Sequence, residues 1–193
     1  LRVVILLVLS SLGGALIASD GKVSLSALGL LLGTGILSSA GASAINQYLE
    51  RSSDALMRRT LNRPLAAGIV SNPKAILGIA SGFIAIAIGL ALLFGNPALA
   101  LFLALGAAIY IGIYTVWLKP RTLLNIVIGG AAGSCAVLSG SAAAGNWSEP
   151  GAITLALLVF IWTPTHFWSL AMAFRDDYSR AGVPMLPTVV SDQ

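Results

Sequence analysis

The charged stretch NQYLERSSDALMRRTLNRPLAAG, residues 46–68, separates two long apolar segments of the chain. The whole sequence of 193 residues is 57% hydrophobic and only 9% charged. Soluble globular chains are about 25% charged, so this composition excludes an ordinary soluble domain. It predicts a protein that crosses a membrane several times, with its charge gathered where the chain leaves the bilayer.

Apolar segments long enough to cross a bilayer recur along the sequence, since one span needs about 20 mostly apolar residues. Most of the breaks between them contain Gly or Pro, as turns do. We therefore predict an all-α fold, a bundle of transmembrane helices in a single domain of residues 1–193. We expect both ends of the sequence to be cut. The predicted spans are residues 3–19, 25–48, 74–94, 97–118, 123–144 and 151–174.

Basic residues predict which side of the membrane each break faces. Nine of the eleven Lys and Arg residues lie in the second, fourth and sixth breaks. Cytoplasmic loops carry such an excess, so these three breaks are predicted to share the cytoplasmic side. The net charge of +4 is therefore a topology signal, and we expect no nucleic acid partner. The nine residues are Arg51, Arg58, Arg59, Arg63, Lys74, Lys119, Arg121, Arg175 and Arg180.

Acidic side chains at two predicted helix ends indicate a metal and phosphate site. Asn46, Glu50 and Asp54 are spaced four residues apart, which places them on one helix face. Asp176 and Asp177 follow the sixth span on the same side. Oxygen ligands of this kind suit Mg²⁺, which binds through one or two carboxylates together with substrate phosphates.

Basic side chains near these acids are candidates for holding a diphosphate, because Arg binds phosphate oxygens bidentately and Lys binds them as a point charge. The alternative is that they are solvated loop charges that only set topology. A site of His and Cys ligands is implausible, because the chain has one His and one Cys. The candidates are Arg58, Arg59, Arg63, Lys119 and Arg180.

Four stretches together resemble the UbiA-type membrane prenyltransferases, and most of all their protoheme IX farnesyltransferase branch. Residues 46–68 resemble the first aspartate-rich motif, and NRPLAAG (62–68) within them resembles the loop that follows it. YTVWLKPRTLLNIVIGGAAG (114–133) resembles the Tyr–Thr–x–x–Leu–Lys segment with the next helix. WTPTHFWSLAMAFRDDYSRAGVPMLPTV (162–189) resembles the histidine-bearing helix and the second aspartate motif.

This resemblance implies a function and a set of roles. It implies transfer of a farnesyl group from farnesyl diphosphate to haem B, with Mg²⁺, to give haem O. By matching position, Asn46, Glu50 and Asp54 would bind one Mg²⁺, and Asp176 with Asp177 a second. The diphosphate would contact Arg58, Arg63, Lys119, Arg180 and Tyr114, and the acceptor side would hold His166 and Trp168.

The implied chemistry is ionisation of an allylic diphosphate, because metal ions and basic side chains neutralise the leaving group. Aromatic faces would shield the allylic cation, or would instead anchor the chain at the membrane interface. The lone His166 has the alternative of a hydrogen bond between helices. The aromatic candidates are Tyr114, Trp117, Phe167 and Trp168.

The resemblance also implies an integral protein of the bacterial cell membrane, or of the inner mitochondrial membrane in a eukaryote. It allows an association with haem A synthase or with terminal oxidase assembly. The family has about nine spans of about 20 residues each, so this chain would hold six of them. We therefore expect residues 1–193 to be inactive alone.

Two departures from the family pattern leave other functions open. Ser52 stands where the first motif usually has a third acid. SCAVLSGS (134–141) stands in the fifth span, where a Pro-Pro pair followed by an aromatic residue is usual. The alternatives are a UbiA-type enzyme for an aromatic quinone precursor, an ion transporter and an inactive scaffold.

Overall fold

A computed structural model describes residues 2–182 and residue 186, and every regular element within those residues is a helix. The predicted all-α bundle is therefore confirmed. Part of the last family-like stretch, residues 183–185 and 187–189, lies outside the described residues. The elements are α1 (Arg2–Ala18), α2 (Leu25–Leu49), α3 (Arg51–Asp54), α4 (Pro73–Leu93), α5 (Pro97–Ala107) with a π-helical continuation (Ala108–Leu118), α6 (Asn125–Gly129), α7 (Ala131–Ala143), α8 (Pro150–Ala173) and α9 (Arg175–Arg180).

Within the described residues, five helical stretches are long and apolar enough to cross a membrane, and the predicted bounds of each lie within two residues of the observed ones. The first predicted span, residues 3–19, is an apolar helix at Val3–Ala18 that is shorter than these five. The structure therefore has helices at all six predicted positions, and the number of full membrane spans stays a prediction. The five are Leu25–Leu49, Pro73–Leu93, Pro97–Leu118, Asn125–Ala143 and Pro150–Ala173.

Three of the long helices begin with the same sequence pattern, in which a side chain that caps the helix is followed by proline. Asn72 and Asn96 accept hydrogen bonds from backbone N–H groups three residues later, at 3.3 and 2.9 Å. Glu149 does the same at 2.6 Å. Such caps satisfy helix N–H groups that have no partner within the helix, and proline suits the first position because it has no N–H to satisfy. The sequence therefore encodes these three helix starts locally.

Glycines allow two pairs of helices to touch backbone to backbone. A Cβ atom on Gly14 of α1 would overlap the Val137 carbonyl oxygen of α7, and one on Gly140 would overlap the Ser11 carbonyl oxygen. On α2, a Cβ on Gly41 would come within 2.6 Å of the Ala80 carbonyl oxygen of α4. Small residues have this function in membrane helix packing.

Helix α5 continues directly into a π-helix, in which hydrogen bonds join residues five apart. The backbone N–H of Lys119 donates to the Tyr114 carbonyl oxygen at 2.8 Å. The side chain of Thr115 also reaches back five residues, where Oγ1 donates to the Tyr110 carbonyl oxygen at 2.8 Å. π-helical turns are rare and often lie at functional sites. This one leads directly to the charged end of the bundle.

The second, fourth and sixth breaks meet at one end of the bundle. Glu50, after α2, forms an ion pair with Lys119, after the π-helix. The backbone of Arg58 hydrogen bonds to Asp177 in α9. At the other end, Asn96 Nδ2 donates to the Ala142 carbonyl oxygen at 2.8 Å, which joins the third break to the last turn of α7. The three breaks that hold nine of the eleven basic residues therefore lie at one end of the bundle, and the third break lies at the other.

Candidate functional site

Asn46 links the end of α2 to the π-helix through a side-chain hydrogen bond. Its side chain is buried, and Nδ2 donates to Thr115 Oγ1 at 3.1 Å. Thr115 in turn donates to the Tyr110 carbonyl oxygen. The predicted ligand Asn46 therefore lies beside the helix that carries Tyr114 and Lys119.

Glu50 lies one turn after Asn46 and is paired with a base from another span. Lys119 Nζ lies 2.5 Å from Glu50 Oε1. The same Nζ lies 5.7 Å from the centre of the Tyr114 ring. A cavity of about 320 Å³ adjoins the pair and is lined by Ser53 and Thr115 as well as by the pair itself. The structure thus brings together three predicted site residues from two distant parts of the chain.

Asp54, at the end of α3, is buried and paired within its own motif. Arg63 Nη1 lies 2.7 Å from Asp54 Oδ2. The loop between them is held by Thr60, whose Oγ1 donates to the Asp54 carbonyl oxygen at 2.9 Å. Ser52, in place of the usual third acid, is exposed on the same short helix. Glu50 and Asp54 are therefore the two acids that this motif contributes.

The two neighbouring acids of α9 are not equivalent. Asp177 is buried, and its Oδ2 accepts a hydrogen bond from the Arg58 N–H at 2.9 Å. Its Oδ1 is paired with Arg180. Asp176 is exposed and makes no ion pair within residues 2–182. Only one of the two predicted acids is thus part of the charged network.

The arginines of the first motif also differ in their contacts. Arg58 reaches Asp177 through its backbone, while its side chain is exposed. Arg59 Nη2 lies 3.4 Å from the hydroxyl of the buried Tyr178. Arg63 holds Asp54. The two acidic motifs therefore meet through the loop between α3 and α4.

The acids present are hard oxygen donors, which fit Mg²⁺ in chemistry. No cluster of three His, Cys, Asp or Glu side chains that could hold a metal ion by itself occurs in the described part of the chain. Mg²⁺ commonly binds through one or two carboxylates and completes its shell with water and substrate phosphates. The donors Glu50, Asp54 and Asp177 fit such a shared site and do not form a closed protein cage.

A largely apolar cavity of about 300 Å³ lies between the helices and reaches the charged end at Tyr114. Tyr110 and Tyr114 stack at 6.0 Å between ring centres and both line it. Gly129 of α6 lies against Tyr114, since a Cβ there would come within 2.6 Å of Tyr114 Cδ2. The arrangement suits a ligand with a charged head and an apolar tail.

His166 also lines this cavity, from helix α8. Its exposed ring stacks on Trp162 at 4.4 Å between centres, with 13° between the planes. Phe167 meets it edge-on at 5.4 Å. Within the described residues the contacts of His166 are thus aromatic, and the predicted alternative of a hydrogen bond between helices is not seen there.

The other predicted aromatic residues lie elsewhere. Trp168 is not among the lining residues of the cavity, and its Nε1 is buried without a hydrogen-bond partner in the described part of the chain. Trp117 is exposed at the end of the π-helix, next to the charged loop. That position suits an interfacial anchor.

Sequence reasoning missed four residues that shape the site, namely Tyr110, Thr115, Gly129 and Trp162. Tyr110 and Trp162 each lie four residues before a predicted site residue, so helical spacing could have indicated them. Thr115 and Gly129 act through contacts between elements, which no local pattern reveals.

Comparison with known proteins matches the sequence pattern of the UbiA prenyltransferase family to residues 7–193. The chain is 46% identical over 192 residues to the protoheme IX farnesyltransferase of Metallosphaera sedula, covering 99% of the chain and 66% of that protein. It is 46% identical over 194 residues to protoheme IX farnesyltransferase 2 of Paramagnetospirillum magneticum, covering 100% and 67%. The chain thus spans about two thirds of the length of the curated relatives it matches.

Two solved structures share the fold. A UbiA homolog from Archaeoglobus fulgidus, bound to DMAPP and Mg²⁺, superposes with a TM-score of 0.73 over 97% of this chain and 66% of that one, at 21% identity. The apo structure of a UbiA homolog from Aeropyrum pernix K1 gives a TM-score of 0.77 over 98% and 70%, also at 21% identity. Family pattern, relatives and fold agree, and the chain belongs to the UbiA prenyltransferase family.

Proposed function

We propose that this chain carries the donor site of a prenyltransferase that moves a farnesyl group from farnesyl diphosphate to protoheme IX (haem B) and gives haem O. One observation carries the proposal: a network of paired acids and bases lies directly at the end of an apolar cavity. Tyr114 lines the cavity and also lies beside Lys119. Relatives named protoheme IX farnesyltransferase support the choice of donor and acceptor.

The charged end would hold the diphosphate. Lys119 and Arg63 are the inner bases, and Arg58 and Arg180 have exposed side chains at the rim. Cations placed where charge develops on a leaving group stabilise the transition state, so these side chains would assist the breaking of the allylic C–O bond.

The acids would hold the metal that the reaction needs. Asn46, Glu50 and Asp54 would contribute to one Mg²⁺ and Asp177 to a second, while the exposed Asp176 is the weaker candidate. When bound, Mg²⁺ supplies positive charge to the diphosphate oxygens and thereby makes the diphosphate a better leaving group.

The cavity would hold the farnesyl chain, and its aromatic wall would face the reacting carbon. The stacked rings of Tyr110 and Tyr114 are next to the charged end. Electron-rich ring faces attract cations, so the two tyrosines would stabilise an allylic cation that forms there.

The acceptor would approach from the side of His166. The stack of His166 on Trp162 forms a flat aromatic surface in the wall of the same cavity. A flat macrocycle can pack against such a surface by offset stacking. Trp168, which is outside the cavity wall, is a weaker candidate for this contact.

The protein would work inside a lipid bilayer, with its charged end on the cytoplasmic side. The apolar helices fit an integral membrane protein, and the basic residues at one end fit the positive-inside rule. An association with haem A synthase or terminal oxidase assembly stays a prediction, as does the inactivity of residues 1–193 alone.

A quinone-precursor prenyltransferase is the second candidate, since the donor site would be the same. An ion transporter is less well supported, because a pore would place its acids deep in the membrane. Here the paired acids lie at helix ends, and their partners are Lys119, Arg63 and Arg180.

The mass of the product distinguishes prenyl transfer to haem B from prenyl transfer to a quinone precursor. Membranes that contain the whole protein with this sequence would receive farnesyl diphosphate and Mg²⁺ together with haem B or 4-hydroxybenzoate. We expect a farnesylated, hydrated haem and no farnesylated benzoate. We also expect Asp54→Ala to abolish the product without lowering the amount of protein in the membrane. A benzoate product alone would contradict the haem assignment, and an unaffected Asp54→Ala variant would contradict the metal assignment.

A further inference from the structure

The two buried acids at the charged end, Asp54 and Asp177, and the half-buried Glu50 already have basic partners. Glu50 is paired with Lys119, Asp54 with Arg63, and Asp177 with Arg180. The acidic side chains are 11%, 5% and 7% exposed, respectively. Three negative and three positive side chains therefore balance one another before any ligand binds.

This pairing opposes the binding of a divalent cation alone and the binding of a diphosphate alone. A divalent cation bound to Glu50 would displace Lys119 and leave its charge poorly compensated. A diphosphate bound to Lys119 would in the same way leave Glu50 uncompensated. Charges in poorly hydrated sites interact strongly, and an unpaired one is costly. Asp54 and Arg63 present the same conflict.

Binding both ligands removes the conflict. The acids would transfer to the metal and the bases to the diphosphate, so that every charge that loses its old partner gains a new one. We propose that the three ion pairs form an exchangeable lock, which makes the divalent cation and the diphosphate bind as one unit. This inference rests on the donor site of the proposed function and does not depend on which acceptor is used.

The lock predicts that removing the basic partner of an acid strengthens metal binding. Lys119→Gln removes the partner of Glu50, so the metal no longer has to displace it. We expect the affinity for Mn²⁺ without diphosphate, a probe for Mg²⁺, to rise by about fivefold or more, the lower end of typical coupling between sites. Arg63→Gln should also raise the affinity for Mn²⁺, because it removes the partner of Asp54. The measurement is loss of the free Mn²⁺ signal in electron paramagnetic resonance, on purified protein in detergent.

Arg51→Gln is the matched control, because it removes the same charge from the same end of the bundle. Arg51 lies on Tyr48, with Nη1 at 2.6 Å from the Tyr48 carbonyl oxygen, and pairs with none of the three acids. It should leave Mn²⁺ affinity near that of the wild type. Lys119→Arg, which keeps the charge of the pair, should also behave like the wild type.

The reciprocal experiment uses inorganic diphosphate without metal. Glu50→Gln and Asp54→Asn free Lys119 and Arg63, so calorimetry should show tighter binding of metal-free diphosphate than in the wild type. Asp20→Asn is the control here, since Asp20 is exposed in the turn between α1 and α2, outside the charged site. Because the two experiments alter different partners, a variant that fails to fold in one leaves the other decisive.

The outcomes separate this inference from the proposed function. Equal Mn²⁺ affinities for Lys119→Gln, Arg63→Gln and Arg51→Gln would overturn the lock, as would weaker metal-free diphosphate binding in both Glu50→Gln and Asp54→Asn. Neither result depends on whether haem is the acceptor. A missing haem product in the mass assay would overturn the proposed function and leave the lock standing.

Discussion

The Arg58 N–H donates a hydrogen bond to Asp177 Oδ2 at 2.9 Å, across 119 positions of sequence. This bond joins the loop after the first acidic motif to the second one. A backbone donor makes the contact, so changing the Arg58 side chain does not remove it. Substitution of Asp177 therefore tests the contact between the two acidic motifs.

Asp177→Ala should destabilise the charged end, because it leaves the Arg58 N–H and Arg180 without their partner. The loss of a buried acceptor typically costs about 1–3 kcal/mol, more for charged groups. We expect a lower melting temperature in detergent and faster proteolysis between α3 and α4. Asp176→Ala, at the exposed neighbour, should change neither. Equal effects of the two substitutions would show that the burial difference has no energetic consequence.

Gly140→Ala should weaken the contact of α7 with α1, because the added Cβ overlaps the Ser11 carbonyl oxygen. Overpacking of this kind costs about 1–3 kcal/mol. Thermal unfolding followed by size-exclusion fluorescence would measure the loss. Gly33→Ala is the control, since nothing lies within 4 Å of a Cβ at that position. A melting temperature for Gly140→Ala equal to that of the control would contradict the close packing.

Gly129→Ala should disturb the donor site without touching a charge. The new methyl group would push the Tyr114 ring, which lies beside Lys119. We expect KM for the prenyl diphosphate to rise and kcat to fall, with little change in melting temperature. Gly112→Ala, on the π-helix but with open space around it, should leave both constants unchanged. An unaltered KM for Gly129→Ala would mean that the Tyr114 ring position is not important for donor binding.

His166→Ala should weaken binding of the acceptor and leave binding of farnesyl diphosphate intact. Loss of an aromatic contact is worth about 0.5–1.5 kcal/mol, which corresponds to about two- to tenfold in affinity. Quenching of tryptophan fluorescence by added haem B would measure it. Phe94→Ala is the control, because Phe94 is exposed at the end of α4 and does not line the cavity. If both ligands bound more weakly to His166→Ala, its role would be in the shape of the cavity and not in acceptor contact.

The helices were predictable because length, hydropathy and helix-start residues are local properties. Asn96 followed by proline, for example, encodes the start of α5 without any tertiary contact. The positions of the acids were predictable for the same reason, since spacing places Asn46 and Glu50 one turn apart.

The partners of the acids were not predictable from local pattern. Glu50 and Lys119 are 69 positions apart, and only the packing of α2 beside the π-helix brings them together. Sequence also treats Asp176 and Asp177 alike, whereas the orientation of α9 buries only one of them. The π-helix was missed because hydropathy does not distinguish five-residue from four-residue hydrogen bonding.

Because of that π-helix, the pairing of Lys119 with Glu50 depends on the number of residues between Tyr114 and Lys119 as well as on the side chains themselves. The five-residue hydrogen bonding places Lys119 one turn after Tyr114, so deleting one residue between them would turn the lysine away from Glu50 for as long as the segment stays π-helical. No conservative substitution could restore the pairing. A relative with an ordinary α-helix here would need a different spacing between its tyrosine and its lysine to place the same two groups together.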